Sequence, residues 1–128
     1  MANKRMFNRS VVRSDAFLEM PLSTQALYFQ LGLEADDDGF CSAPKTICRL
    51  IGANQNDYDI LVAKGFLIQF EDGVVVIKHW LMNNGIRKDR YKETEYLEHK
   101  KELYLKPNNA YTLDHTKGVK LIDCQVEK

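Results

Sequence analysis

The chain has 128 residues, 45% of them hydrophobic, which suits one globular domain with some extra tail. No apolar run approaches the roughly 18–20 residues of a membrane span, and the opening MANKRMFNRS lacks the apolar centre of a signal peptide. A cytoplasmic protein with no membrane partner is expected, and 18 Lys and Arg against 18 Asp and Glu argue against an indiscriminate polyanion binder.

That neutral total hides segregation. Residues 1–13 carry Lys4, Arg5, Arg9 and Arg13 without an acid, a pattern read as a flexible basic arm. Residues 14–38 carry Asp15, Glu19, Glu34, Asp36, Asp37 and Asp38 without a base. Residues 87–92, RKDRYK, carry Arg87, Lys88, Arg90 and Lys92 against Asp89 alone. The basic blocks suit phosphate contacts, and the acidic one suits a basic partner.

In chain order, Ser14 is a candidate cap for a short helical turn that Pro21 stops. Ser23 is the expected cap of a helix from Thr24 to about Glu34, with Leu27, Tyr28, Leu31 and Ala35 on one face. Asp36-Asp37-Asp38-Gly39 reads as a loop, and Phe40-Cys41 as a very short strand. Ser42 and Pro44 suit the start of the next helix, whose Ile47, Leu50 and Ile51 predict an apolar face. Gly52-Ala53-Asn54 breaks it, and Asn54 or Asn56 caps another helix that ends at Gly65.

Phe66 to Trp80 predicts a β-hairpin turning at Asp72-Gly73. A two-residue turn there sets Phe70 opposite Val75 and Ile68 opposite Ile77. The succession of helix, turn, helix and hairpin predicts an α+β, mainly α fold, a winged helix-turn-helix with a β-hairpin wing. Its expected core includes Leu27, Leu31, Ile47, Leu50, Ile51, Leu61, Phe66, Ile68 and Ile77. Thr94 to Leu105 is expected to add a C-terminal helix. The resulting division is a DNA-binding domain over 1–106 and a linker or disordered tail over 107–128.

Catalytic and metal chemistry find little support. Glu34-x-Asp36-x-Asp38-Gly39 begins like a calcium-binding loop, but its twelfth position is Lys45 where an acidic ligand belongs. His79, His99 and His115 lack zinc spacing, and His79 reads as a packed or edge residue. Cys41, Cys48 and Cys124 are too few and too scattered for a disulfide framework and read as reduced thiols. No phosphate-loop, dinucleotide or nucleophile-elbow signature occurs. No cofactor is expected.

Nucleic-acid contact has better candidates. The second helix of the motif is where a helix-turn-helix normally reads the major groove. It offers Asn54, Gln55, Asn56, Tyr58 and Lys64 to bases or phosphates. Asp57 and Asp59 repel phosphates, although acids in a first helical turn also answer the helix dipole. Lys45 and Arg49, one turn apart, are candidate backbone contacts. In RKDRYK, Arg87, Lys88, Arg90 and Lys92 suit phosphates and Tyr91 suits base stacking. The acidic wing tip, Glu71-Asp72, is expected to avoid DNA or to meet a protein.

The segments FLEMPLSTQALYFQLGLEADDDGF (17–40), GVVVIKHW (73–80) and IRKDRYKETEY (86–96) resemble the N-terminal domain of phage replisome organizer proteins. These replication initiators of phages and prophages are similar in outline to the bacterial DnaD N-terminal domain. The resemblance spans about residues 5–112. It implies a non-enzymatic winged-helix protein that binds double-stranded DNA at a replication origin and helps recruit a helicase loader or helicase, with self-association as a homo-oligomer a further partner reading. Family members usually continue into a C-terminal domain that this sequence does not include. Two rivals share the fold: a transcriptional repressor, and a protein-interaction module of the replisome without DNA binding of its own.

Overall fold

A computed structural model describes residues 4–126 of the chain as an α+β fold. Two short helices, α1 (Arg9–Val12) and α2 (Asp15–Leu18), lead into α3 (Leu22–Glu34). Strand β1 (Phe40–Cys41) follows, then α4 (Pro44–Ile51), α5 (Gln55–Ala63) and strands β2 (Leu67–Gln69) and β3 (Val75–Ile77). Beyond them lie α6 (Trp80–Asn83), α7 (Leu97–Glu102), β4 (Tyr104–Leu105), β5 (Tyr111–Thr112), β6 (Val119–Lys120) and α8 (Leu121–Val126).

Local chemistry sets several helix starts, though not always through the expected residue. Ser14 caps α2 by accepting from Phe17 N. Asn54 caps α5 in a reciprocal box with Asp57, so both orphan N–H groups are satisfied. Ser23 caps nothing, because α3 begins after Pro21 and the Ser23 hydroxyl donates to Asp57 instead. Ser42 is displaced likewise, since Ala43 is the cap position and Pro44 opens α4.

Helix α3 packs against both α4 and α5, burying Leu27, Tyr28 and Leu31 beside Leu61. Phe17, Tyr28 and Phe66 meet edge to face with ring centroids 5.2–5.8 Å apart, an arrangement that the ring quadrupoles favour. The expected core is corrected on α4. Leu50 is 75% exposed and Ile51 37%, while Cys48 turns inward and Ile47 is half-buried. Capture of Cys48 by the core rotates the helix so that its Leu50 edge faces water.

The first sheet runs β1-β3-β2, antiparallel throughout, and Phe40-Cys41 does supply its third strand. The hairpin forms where expected but one residue out of the expected register. Leu67 faces Ile77, Ile68 faces Val76 and Gln69 faces Val75. Phe70 N donates to Val74 O, leaving a three-residue loop, Glu71-Asp72-Gly73. Gly73 closes it at φ 88°, the left-handed conformation such loops require. The physical reason lies in the middle strand. Both faces of β3 are covered, so Val75, Val76 and Ile77 are all buried and alternation could not fix the register.

The segment expected to be a linker or tail, 107–128, is corrected over its described part. Strands β5 and β6 flank β4 in a second antiparallel sheet, and α8 packs on α7 and β4. Tyr111 and Leu121 are fully buried. The helix expected over Thr94–Leu105 shrinks to α7, since Thr94 is drawn into the acidic loop and Tyr104-Leu105 pair as strand. Among the described residues no helix is long and apolar enough to cross a membrane. Cys41 and Cys48 are buried free thiols, whereas the side chain of Cys124 lies outside the described residues.

Candidate nucleic-acid interface

Helix α5 is fixed from beneath. Asp57 is buried and accepts from Ser23 Oγ at 2.8 Å, Thr24 Oγ1 at 2.7 Å and Asn54 N at 3.1 Å. Burial pushes its carboxyl upward, but these donors outweigh it and hold the group below its ordinary value. Asp57 therefore bolts α5 to α3, and its carboxylate is turned into that joint rather than toward solvent. Tyr58, expected to contact DNA, is only 3% exposed and belongs to the core, as does Leu61 on the next turn.

The outward face of α5 carries Gln55, Asn56, Asp59 and Ala63. Gln55 Nε2 donates to Asp59 Oδ1 at 2.9 Å, and the Asn54 side chain is engaged as the cap. Asn56 is left as the exposed amide without a side-chain partner among the described residues. Lys64, just past the helix, lies 3.5 Å from Glu19 in an exposed pair of little energetic weight. Lys45 and Arg49 are exposed on α4, one turn apart.

The basic segment 87–92 is irregular, and its two ends differ. Arg87, Lys88, Arg90 and Lys92 are exposed, with Arg87 Nε 3.3 Å from Asp89. Tyr91 is half-buried, its hydroxyl 2.7 Å from both Asp38 carboxylate oxygens and accepting from Lys100 Nζ at 3.0 Å. The Lys100 ammonium also stands 5.7 Å from the Tyr91 ring centre. Tyr91, expected to stack on bases, instead anchors the segment.

The anchor is the acidic loop 36–39. Asp36 accepts from Phe40 N and Thr94 Oγ1, and burial raises its pKa despite those bonds. Asp37 is buried 3.2 Å from Arg5 and accepts from Lys92 N at 3.0 Å. Asp38, also buried, is 3.5 Å from Lys100 and accepts from Thr94 N at 2.8 Å. Its backbone carbonyl receives the Tyr111 hydroxyl at 2.8 Å, and that of Asp37 receives Trp80 Nε1 at 2.9 Å. The partner that this acidic block suits is thus within the chain. Nor is the N-terminal segment a free arm from Arg5 onward, because Met6 N and Asn8 N donate to Asn84 and Asn83 and Val11 and Val12 enter the core.

The wing tip is likewise occupied. Asp72 accepts a bond from His99 at 2.8 Å, which holds its carboxyl below the ordinary range, and Phe70 stacks on the His99 ring at 4.1 Å.

Of the expected contact residues, the structure leaves Lys45, Arg49, Asn56, Lys88, Arg90 and Lys92 exposed with side chains uncommitted among the described residues. Asn54, Gln55, Lys64 and Arg87 are exposed but already engaged, and Tyr58 and Tyr91 are structural. Sequence reading put Arg5 in a basic arm and gave Lys100 no role, yet the two hold the acidic loop. Each is a single cation far along the chain from its acid, with no spacing to mark it. Comparison with protein-family models, with curated proteins and with solved structures finds no match in any of the three.

Proposed function

We propose that this chain is a winged-helix DNA-binding protein that acts in initiating phage or prophage replication, binding duplex DNA through α5, α4 and the 87–92 segment. One observation carries the reading. The order α3-β1-α4-α5-β2-β3 closes into a sheet β1-β3-β2, with α5 held by its inner face and its Asn56 edge open. This is the arrangement in which a helix-turn-helix presents its second helix to the major groove. The sequence resemblance supplies the replication role. Asn56 is the best-placed group for pairing with an adenine edge, and Lys45, Arg49, Lys88, Arg90 and Lys92 would hold phosphates.

A second reading is favoured by one finding. Leu50 and Ile51 stand in water on α4, beside the turn into α5, where a protein-interaction module would bury them against a partner.

A mobility-shift titration across fragments of the source replicon tests the first reading. Specific retention of an origin fragment is expected, with a log–log salt slope of about −4 to −5 for roughly five phosphate contacts. Asn56→Ala should lower discrimination between origin and scrambled duplex, whereas Lys88→Ala with Arg90→Ala should weaken both alike. No binding at low salt would leave the protein-interaction reading standing.

A further inference from the structure

A cavity of about 250 Å³ lies between the first two helices, the end of α5 and the end of β3. Ser10 and Ser14 form one wall, Lys64 and Gly65 a second, Lys78 and His79 a third, and Asn108 closes one side. The Lys78 ammonium reaches over Gly65, 3.7 Å from where a side chain there would begin. Lys78 is half-buried, and burial together with the nearby Lys106 and Lys117 ammonium groups pushes its pKa down.

No carboxylate lines the cavity. Among the described residues Lys78 and Lys106 have no ion pair, Lys117 meets Asp114 only at 4.0 Å, and Lys64 meets Glu19 at its exposed rim. Grouping cations around a half-buried ammonium costs stability unless a counter-charge enters. The Ser10 and Ser14 hydroxyls are already spent, donating to Asn8 Oδ1 and Val11 O. Asn108 Oδ1 accepts from Ala110 N, which leaves the amide N–H₂ as donor beside the ammonium groups. Donors converging from several sides, with no acceptor charge, fit a compact oxyanion.

We propose that this cavity is a phosphate-binding site, lined by the ammonium-bearing side chains of Lys78 and Lys64. Its volume is below the roughly 300–1,000 Å³ of pockets that enclose drug-sized ligands, so it takes one phosphate group and leaves the remainder of the ligand outside. That group belongs either to a small phosphate ester or to a nucleic-acid strand.

The test is a ¹H–¹⁵N titration of the full chain with inorganic phosphate against sodium chloride at matched ionic strength. Saturating shifts at the amides of Ser10, Ser14, Gly65 and His79 are expected with phosphate alone. Lys78→Gln should weaken that binding at least tenfold, and so should Lys64→Gln, whose exposed position keeps the test valid if the first variant folds poorly. Phenyl phosphate and a short duplex lacking terminal phosphates, each added as competitor, separate the two sources. Displacement by the ester alone assigns a small ligand, and displacement by the duplex assigns a strand phosphate. Equal, non-saturating shifts with phosphate and chloride would overturn the site, as would unchanged phosphate affinity in the folded variants.

Discussion

Replacing Lys100 with methionine isolates the energetics of the acidic loop. Lys100 is fully buried, with its ammonium 2.7 Å from Glu93, 3.0 Å from the Tyr91 hydroxyl and 3.5 Å from Asp38. Methionine refills most of the stem, so packing contributes little to the loss. What remains is the Asp38 carboxylate, wholly buried and stripped of its nearest cation. Removing one partner from a buried pair costs about 3–5 kcal/mol, a large share of the roughly 5–15 kcal/mol that holds a domain of this size. Asp38→Asn should cost less, about 1–2 kcal/mol, because the amide oxygen still accepts from Tyr91 or Thr94 and Lys100 keeps Glu93. The double variant should cost less than the sum of the two by about 0.5–3 kcal/mol. Urea unfolding followed by Trp80 fluorescence reads all four proteins, with the Lys100→Met midpoint expected about 2 M lower. A Lys100→Met protein within 1 kcal/mol of the parent, or strict additivity in the cycle, would refute the claim that this ammonium neutralises the loop.

Burial, with Lys78 and Lys106 nearby, lowers the His79 pKa from 6.5 to about 4. Between those values the unfolded chain takes up a proton that the folded chain refuses, so stability falls as pH drops from about 6.5 toward 4. The shift converts to roughly 3 kcal/mol, cut to about 2 by solvent at the ring edge, and thermal melts of His79→Gln should lack that acid loss. Leu61→Ala should cost about 2–5 kcal/mol in urea melts, whereas Leu50→Ala should stay within about 0.5 kcal/mol. Gly39 sits at φ 91°, and an added Cβ would stand 2.6 Å from the Trp80 ring. Gly39→Ala should therefore lower stability by about 2–5 kcal/mol, with a changed Trp80 emission spectrum as the structural readout.

Local pattern was enough for α2 to α5, the hairpin and the short third strand, because caps, breakers and helical periodicity act within a few residues. Asn54 with Asp57 and the Asp72-Gly73 turn region are examples. Periodicity failed on α4, where Ile47, Leu50 and Ile51 make an apolar stripe but the core takes Cys48, since a stripe does not say which helix edge finds a neighbour. Register failed on β3 because a strand covered on both faces carries no alternation. Charge patterning found the acidic and basic blocks, yet not their pairing. Asp37 finds Arg5, and Asp38 finds Lys100 and Tyr91, across separations that spacing cannot reach. Of the candidate interface, the exposed cations and Asn56 were legible from residue type and place on a helix. Whether Tyr58 and Tyr91 face water or the core, and the meeting of Lys64 and Lys78 at one cavity, depended on tertiary contacts. Sequence fixes what each side chain can do within a turn or two. Burial and long-range electrostatic partners are properties of the closed chain, and they decide which of those abilities remain available.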